Sequence, residues 1–157
     1  MNIRKLISSD KPWVETIVTT HFGSPRVVSR GVLHDVRLLP GFVAEEDSKP
    51  SGLLQNRFDG DQCEIVILIS IIQRHGISRQ LIEVLKAITR HSGCNRLWLI
   101  TTNNDRGANE FYGGLGLKQI AIHRGAVREA RKLKPEIPEF DRKGLPIDDE
   151  IEFELRL

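Results

Sequence analysis

The fold is decided by one stretch near the middle of the chain, Ile65-Val66-Ile67-Leu68-Ile69-Ser70-Ile71-Ile72-Gln73-Arg74-His75-Gly76-Ile77-Ser78-Arg79. Its apolar, β-branched first half predicts a buried strand, and its second half is a turn that opens into a helix. The first turn of a helix leaves backbone N–H groups unpaired, and the helix dipole favours an anion there. Because Gly76 lets a ligand approach the backbone closely, this turn suits a phosphate group.

The residues before this stretch predict a short strand, a helix and an antiparallel meander. Ser9 or Asp10 can cap the helix, with Pro12 in its first turn. Residues 26–36 are compatible with either a bent strand or a hairpin. The strands of the meander, separated by turn residues, are predicted at 41–46, 51–58 and 63–72.

The residues after it alternate between helices and strands. Apolar residues spaced by three and four predict a helix over 77–90, which Gly93 ends. A buried strand at 97–100 then implies a right-handed crossover. Asn103, Asn104 or Asp105 can cap a second helix over 106–112. The remaining elements are predicted as a strand at 117–123, a short basic helix at 126–133 and a strand at 151–157.

These elements predict one domain over 1–157, of the α/β (α+β) class with a mixed central sheet. A net charge of +2 is too small to indicate a surface that binds nucleic acid. No apolar run approaches the roughly 20 residues needed to cross a bilayer. Cys63 and Cys94 lack metal-binding spacing and read as free thiols, and the histidines show no ligand spacing. We therefore predict a cytoplasmic protein without a metal ion, a nucleic-acid partner or a membrane partner.

Two motifs in order carry a resemblance to a known family. The first is Gln73-x-x-Gly76-x-Ser78, and the second is Ala108-Asn109-Glu110-Phe111-Tyr112-Gly113-Gly114-Leu115-Gly116-Leu117. Together they resemble the GNAT superfamily of acyl-CoA-dependent N-acyltransferases, most clearly over 63–123. Two positions depart from the family pattern: Ser78 stands where Gly or Ala is usual, and Asp105 where many members carry Asn.

The resemblance implies a GNAT-like fold and acetyl-CoA as the acyl donor. Backbone N–H groups of the turn would bind the diphosphate, and those near Ile69 to Ile71 would hold the oxyanion that develops on the thioester. The cofactor-binding residues it implies are Ile69, Ile71, Gln73, Arg74, His75, Gly76, Ile77, Ser78, Arg79, Asn104 and Tyr112.

Two catalytic residues follow from the same resemblance. Tyr112 would protonate the departing thiolate of CoA, although an aromatic at this spacing is also compatible with a purely structural role. Glu64 would accept the proton of the amine, directly or through water, because a partly buried carboxylate gains affinity for protons. An exposed strand residue is the alternative for Glu64.

The predicted function is therefore transfer of an acetyl group to a primary amine by direct attack, and the acceptor is a small-molecule amine or a protein amine. The variable segments 23–41 and 134–150 would form the acceptor pocket, with His34 and Asp35 as candidate lining residues. The acidic run 148–150 is expected to be a solvated face, with attraction of a cationic acceptor as the alternative. A homodimer is compatible with an exposed edge at the C-terminal strand.

Two other classes of function are weighed against this one. The departures at Ser78 and Asp105 leave open a non-catalytic acyl-CoA sensor. A nucleotide-binding α/β protein would need Gly-x-Gly-x-x-Gly, whereas the turn holds one glycine.

Overall fold

The computed structural model describes residues 1–73 and 75–157, and they build a seven-stranded sheet with helices on both faces. The strands of the chain are β1 (Asn2–Lys5), β2 (Arg26–Ser29), β3 (Val32–Asp35), β4 (Gly41–Glu46), β5 (Lys49–Asp59), β6 (Gln62–Ser70), β7 (Arg96–Thr102), β8 (Lys118–His123) and β9 (Glu150–Arg156). The α-helices are α1 (Lys11–Phe22), α2 (Ile77–His91), α3 (Ala108–Gly114) and α4 (Ala126–Ala130). None of the helices in the described ranges is long and apolar enough to cross a membrane.

The main sheet has the strand order β1-β4-β5-β6-β7-β9-β8. The strands β4, β5 and β6 pair in sequence as an antiparallel meander, and α2 then carries the chain to β7, which pairs parallel to β6. The mixed sheet, the meander and the strand-helix-strand crossover are therefore confirmed.

The neighbouring leucines of β5 show how the sheet divides the core. Leu53 packs in a cluster with Val14 and Val18 of α1, whereas Leu54 packs in a second cluster with Leu81 and Leu85 of α2. Successive side chains of a strand point to opposite faces, so one short run of β5 anchors both layers. The helix α1 covers one face of the sheet, and α2 covers the other.

Residues 26–35 resolve the alternative that the sequence leaves open between a bent strand and a hairpin. The strands β2 and β3 pair with each other as an antiparallel hairpin outside the main sheet. This hairpin lies against the same face as α1, since Val27 and Val36 belong to the α1 cluster.

The start of α3 differs from the prediction. The helix begins at Ala108, and its N-cap is Gly107. The three predicted caps have other partners: Asn103 accepts from the backbone N–H of Asp148, Asn104 contacts Thr102, and Asp105 accepts from Thr101. Their side chains hold the end of β7 and its neighbouring loop, so they are not available to the helix.

The position of β9 also differs from the prediction. This strand pairs with β7 on one side and with β8 on the other, so it lies inside the sheet. An exposed edge at the C-terminal strand is therefore wrong, and the edges of the main sheet are β1 and β8.

Candidate active site

A gap between β6 and β7 forms the centre of the site. The two strands pair only from Gln62 to Glu64 of β6, opposite Arg96 to Trp98 of β7. Beyond this point β6 continues to Ser70 and β7 to Thr102, with no further pairing between them in the described ranges. Two parallel strands that separate in this way leave a cleft at their carboxyl ends, where α/β folds bind ligands.

Of the N–H groups near Ile69 to Ile71 that the sequence predicts as donors, the backbone of β6 presents that of Ser70 to this gap but not those of Ile69 and Ile71. The N–H of Ile71 donates to Ser51 O at 2.8 Å, and Ile69 is paired with Leu53 two residues earlier in the same register. Because hydrogen-bonded and non-bonded pairs alternate in an antiparallel ladder, both amides point to β5. Ile69 and Ile71 are therefore wrong as amide donors to the cofactor. The N–H groups of Leu68 and Ser70 point to the gap.

A bulge at Val66 changes which side chains of β6 face α1. Gln55 pairs with Ile67 but Asn56 pairs with Ile65, so Val66 is an extra residue on β6. Before the bulge Glu64 lies on the α1 side of the sheet, and after it Ile67 and Ile69 do. One inserted residue reverses the alternation of a strand. The bulge therefore lets one strand supply both a polar group for the site and an apolar surface for the core.

The N-terminus of α2 follows the end of β6. Gly76 precedes the helix with φ +68°, a left-handed conformation that a residue with a Cβ adopts only with strain. The backbone N–H of Gln80 donates to Gly76 O, and no side chain in the described ranges caps this end. The amides of Ile77, Ser78 and Arg79 are thus the unpaired donors of the first turn.

A close approach of β5 fixes the start of α2. Gly52 lies against Ile77, and a Cβ placed on this glycine would be 2.4 Å from Ile77 Cγ2. Ile77 is 1% exposed. Ile77, the first residue of α2, therefore packs into space that a side chain at position 52 would occupy.

The other predicted cofactor residues lie around this turn. Gln73 folds back and donates to Ser70 O at 3.0 Å, and His75 lies 3.6 Å from the carboxylate of Glu46. Arg79 is exposed and donates to Gly114 O at the end of α3. Arg74, also predicted to bind the cofactor, lies outside the described residues.

Glu64 is one of the most deeply buried charged residues of the chain, with 1% exposure. Its Oε2 accepts from Ser29 Oγ at 2.5 Å, and its Oε1 accepts from Arg57 Nε at 2.7 Å. Burial raises the pKa of the carboxyl, and the bonds from Ser29 and Arg57 oppose that rise. A buried carboxylate with a raised pKa is suited to accept a proton, so the alternative of an exposed strand residue is wrong.

His34 of β3 lies beside this carboxylate. Its Nε2 is 4.0 Å from Glu64 Oε1 and has no hydrogen-bond partner among the described residues. Burial, and then the charge of Arg57, lower the pKa of the imidazole. Its neighbour Asp35 is turned away and pairs with Arg37 at 2.7 Å.

Tyr112 of α3 lies on the opposite face of the sheet from Glu64. Its ring packs on Phe153 of β9 with 5.0 Å between the centroids. Burial, followed by the charge of Asp105, raises the pKa of the phenol to about 12, and the nearby hydroxyl of Thr101 opposes the shift. The phenol therefore keeps its proton near neutral pH. It borders the end of β7, which lines the gap.

A cavity of about 360 Å³ lies elsewhere, between α1 and the segment 36–40, but a larger one of about 610 Å³ adjoins the gap on the α1 face. Glu64 and Val66 line the larger cavity from β6, and Thr101 and Asn104 from the end of β7. The end of α1, the hairpin, α4 and the segment after α4 complete it. Both predicted variable segments, 23–41 and 134–150, contribute to its lining. Neither His34 nor Asp35 does.

Two residues of this cavity were missed or misjudged from the sequence. Glu150 was expected on a solvated face, but it is 3% exposed and lines the cavity because β9 lies inside the sheet. Lys134 is 7% exposed and donates to Arg26 O at 2.8 Å and Phe22 O at 3.3 Å. No local signal distinguishes either residue from a surface charge, since each is buried by segments distant in sequence.

The comparisons with known proteins agree with this geometry. A sequence model described as the acetyltransferase (GNAT) family matches residues 10–117. The uncharacterized protein YdhI of Bacillus subtilis is 37% identical over 134 residues, which are 85% of this chain and 84% of that protein. The uncharacterized protein YxbD of the same organism is 34% identical over 152 residues, 96% of each chain. A crystal structure of a Bacillus subtilis acetyltransferase in complex with CoA has a TM-score of 0.70 at 13% identity, covering 99% of this chain and 98% of that one.

The chain belongs to the acetyltransferase (GNAT) family. The resemblance, the fold class and the prediction of an enzyme are confirmed, and an enzyme is favoured over a non-catalytic sensor. The family transfers an acetyl group from acetyl-CoA to an amine, so the predicted donor and reaction type are confirmed as well. Which amine accepts the group is a separate question.

Proposed function

We propose that this enzyme transfers the acetyl group directly from acetyl-CoA to a primary amine bound in the 610 Å³ cavity, without a covalent enzyme intermediate. The observation that carries the proposal is the separation of β6 and β7 beyond Glu64 and Trp98. The resulting gap connects the amides at the start of α2 with a cavity that contains a buried carboxylate.

The diphosphate of the cofactor binds at the first turn of α2. The amides of Ile77, Ser78 and Arg79 donate to its oxygens, and the helix dipole adds to the attraction. Gly76 supports this role because its left-handed conformation turns the chain into the helix without a side chain in the way. Ser78 fits the same role, since its side chain is small and 8% exposed.

The thioester lies in the gap, where the amides of Leu68 and Ser70 face it. A carbonyl that is attacked by an amine develops negative charge on its oxygen, and fixed N–H donors stabilise that charge. Of these two donors, Ser70 is closer to α2 and therefore to the diphosphate.

Proton transfers accompany the attack at both ends of the reacting group. Glu64 takes one proton from the bound ammonium ion, and the neutral amine nitrogen then bonds to the carbonyl carbon. The bond between carbon and sulfur breaks as the nitrogen releases its second proton to solvent, from which Tyr112 is later reprotonated. Tyr112 gives its proton to the departing thiolate, so the products are an amide and CoA. The raised pKa of each group, caused mainly by burial, supports its role: Glu64 binds a proton more readily, and the phenol stays protonated.

Two broader features are part of the proposal. A cytoplasmic location is supported by Cys63 and Cys94, which are free and buried, with burial raising the pKa of the Cys63 thiol to about 11. A homodimer formed through the main sheet would use the edge strands β1 or β8.

Calorimetric titration with acetyl-CoA, compared between two charge reversals on α2, tests the cofactor site. Arg79→Glu places a carboxylate at the first turn, where it suits the helix but repels a diphosphate, so we expect a clear loss of affinity. Arg90→Glu makes the same change in charge at the far end of the helix and should retain affinity. Equal affinities in the two variants, or no binding at millimolar acetyl-CoA, would refute the site.

A further inference from the structure

We propose that the acceptor is a small monoamine with an apolar body, whose ammonium group is held by Glu150. This inference rests on the proposed function, because it concerns the cavity next to the acetyl group. It adds the chemical class of the acceptor and a residue that determines specificity.

The first observation is the size of the cavity and the way its walls are joined. Its volume of about 610 Å³ lies within the range of small-molecule pockets. Lys134 helps to close it, since its bonds to Phe22 O and Arg26 O tie the segment after α4 to the end of α1 and to the hairpin. Because three elements are joined to one another around the cavity, it is better suited to bind a small molecule than the surface of a folded protein.

The second observation is the apolar lining. Aliphatic side chains from five different segments face the cavity, namely Val27, Val66, Ile100, Val127 and Ile147. Removing apolar surface from water is favourable at about 25 cal/mol per Å². An acceptor with an aliphatic or aromatic body therefore gains more from this cavity than a highly polar one.

The third observation is the difference between the two buried carboxylates. Glu64 accepts short bonds of 2.5 and 2.7 Å. Within the described ranges, Glu150 accepts longer ones, at 3.3 and 3.4 Å from Arg30 N and 3.2 Å from Arg30 Nη1. An ionised carboxylate has about four acceptor sites, so Glu150 keeps capacity for another donor.

A division of roles between the carboxylates follows from the chemistry of amines. An alkyl amine reaches the enzyme as an ammonium ion near neutral pH, since such groups titrate near 10. Glu64 removes one proton before the attack, while Glu150 lies in the same lining and binds the incoming cation. The two roles require two carboxylates, and the cavity lining contains both.

The remaining charges disfavour other acceptors. A carboxylate on the acceptor, as in an amino acid, would meet Glu64, Glu150 and the exposed Glu136. Among the described residues, the one ammonium of the lining, that of Lys134, already donates to two backbone carbonyls. A second ammonium, as in a polyamine, would meet Lys134, whose ammonium group offers only donors. A single amine on an uncharged body avoids both conflicts.

Matched pairs of amines test the class of acceptor. Wild-type enzyme with acetyl-CoA is assayed by mass spectrometry against 3-methylbutylamine and leucine, β-phenylethylamine and phenylalanine, spermidine, and an unstructured peptide with a free N-terminus. We expect kcat/KM for each monoamine to exceed that of its amino acid by about tenfold or more. Preference for leucine, spermidine or the peptide overturns the inference but leaves the proposed function intact, and so does binding of acetyl-CoA without acetylation of any monoamine. Failure to bind acetyl-CoA refutes both.

Glu150→Gln tests the anchoring residue, with Asp148→Asn as its control. The control removes a nearby carboxylate that pairs with Arg128 on the surface, so its kinetics should match wild type. For Glu150→Gln we expect KM for the monoamine to rise about tenfold, with kcat and KM for acetyl-CoA nearly unchanged. An unchanged KM for the amine, or an equal fall in kcat for acetylation of every amine, rules out Glu150 as the anchor.

Discussion

The two halves of the proposed active site are built in opposite ways. The cofactor half comes from one continuous segment, in which the end of β6, a turn and the start of α2 follow one another within 68–79. The acceptor half is assembled from the end of α1, the hairpin, Glu64 and Val66 of β6, the end of β7, α4 with the segment after it, and the start of β9. Its lining residues are spread over 21–150. Local chemistry therefore specifies how the cofactor is held, whereas tertiary packing specifies what the enzyme acts on.

This difference gives each half its own sensitivity to substitution. Changes at the reacting atoms should stop the chemistry without affecting cofactor binding, and changes in the cofactor half should affect binding and folding together. The predictions below test that separation, beginning with the largest expected effect.

Glu64→Gln gives the largest loss if the acceptor half supplies the base. The amide keeps the shape of the side chain but cannot take a proton, so kcat should fall by about 10³ while the affinity for acetyl-CoA stays the same. Steady-state kinetics and calorimetric titration measure the two quantities. Turnover close to wild type, in a variant whose thermal unfolding is unchanged, would show that water alone acts as the base.

Tyr112→Phe should lower kcat by about 10², because the thiolate would then leave without a proton donor. The ring remains to pack on Phe153, so stability should change little. The pH profile gives a second measurement. With a pKa of about 12, the phenol should cause no decline in wild-type turnover until the pH approaches that value. A decline near pH 8 that the variant abolishes would contradict this role.

Gly52→Ala tests the coupling of folding and cofactor binding. The added methyl group would overlap Ile77, so we expect a destabilisation of about 1–3 kcal/mol and weaker binding of acetyl-CoA. Gly60→Ala, in an open turn with φ +60° at the other end of β6 from the first turn of α2, is a control that is also destabilised, by left-handed strain, but should keep its affinity for acetyl-CoA. Thermal melts with and without acetyl-CoA compare the two. If both variants bind the cofactor as well as wild type, the fit of Gly52 against α2 has no part in cofactor binding.

Ser29→Ala should have the smallest effect, a displacement of the pH profile. The hydroxyl donates to ionised Glu64 and so lowers its pKa, against the rise caused by burial. Without it the pKa of Glu64 rises further, and the acidic limb of kcat/KM should move to higher pH. The control Ser92→Ala removes an exposed hydroxyl at the end of α2, on the opposite face of the sheet from Glu64, where it donates to Ile88 O. Coincident acidic limbs for all three proteins would mean that Glu64 does not set the profile.

The same contrast explains what could be read from the sequence. The strand order within the meander, the crossover and the turn at Gly76 follow from periodicity and from glycine, which act over a few residues. The bulge at Val66 and the direction of the amides of Ile69 and Ile71 depend on the register with β5, which no short pattern encodes. This is why the predicted oxyanion donors were displaced by one residue.

The acceptor half was hardest to predict for the same reason. The sequence predicts that the variable segment 134–150 forms part of the acceptor pocket. Glu150 becomes a buried carboxylate, however, only because β9 inserts between β7 and β8. Likewise, the hydroxyl of Ser29 reaches Glu64 across 35 positions of sequence. Neither residue type nor spacing signals such a contact.

The insertion of β9 also governs the order in which the molecule can be made. During synthesis β8 emerges before residues 150–156, and in the finished sheet its only partner among the described strands is β9. Until those residues leave the ribosome, β7 and β8 each expose an edge with unpaired backbone groups. Such edges can pair with other chains, which favours aggregation or chaperone binding. The strand that completes the sheet last also carries, at its first position, Glu150, the residue proposed to hold the acceptor.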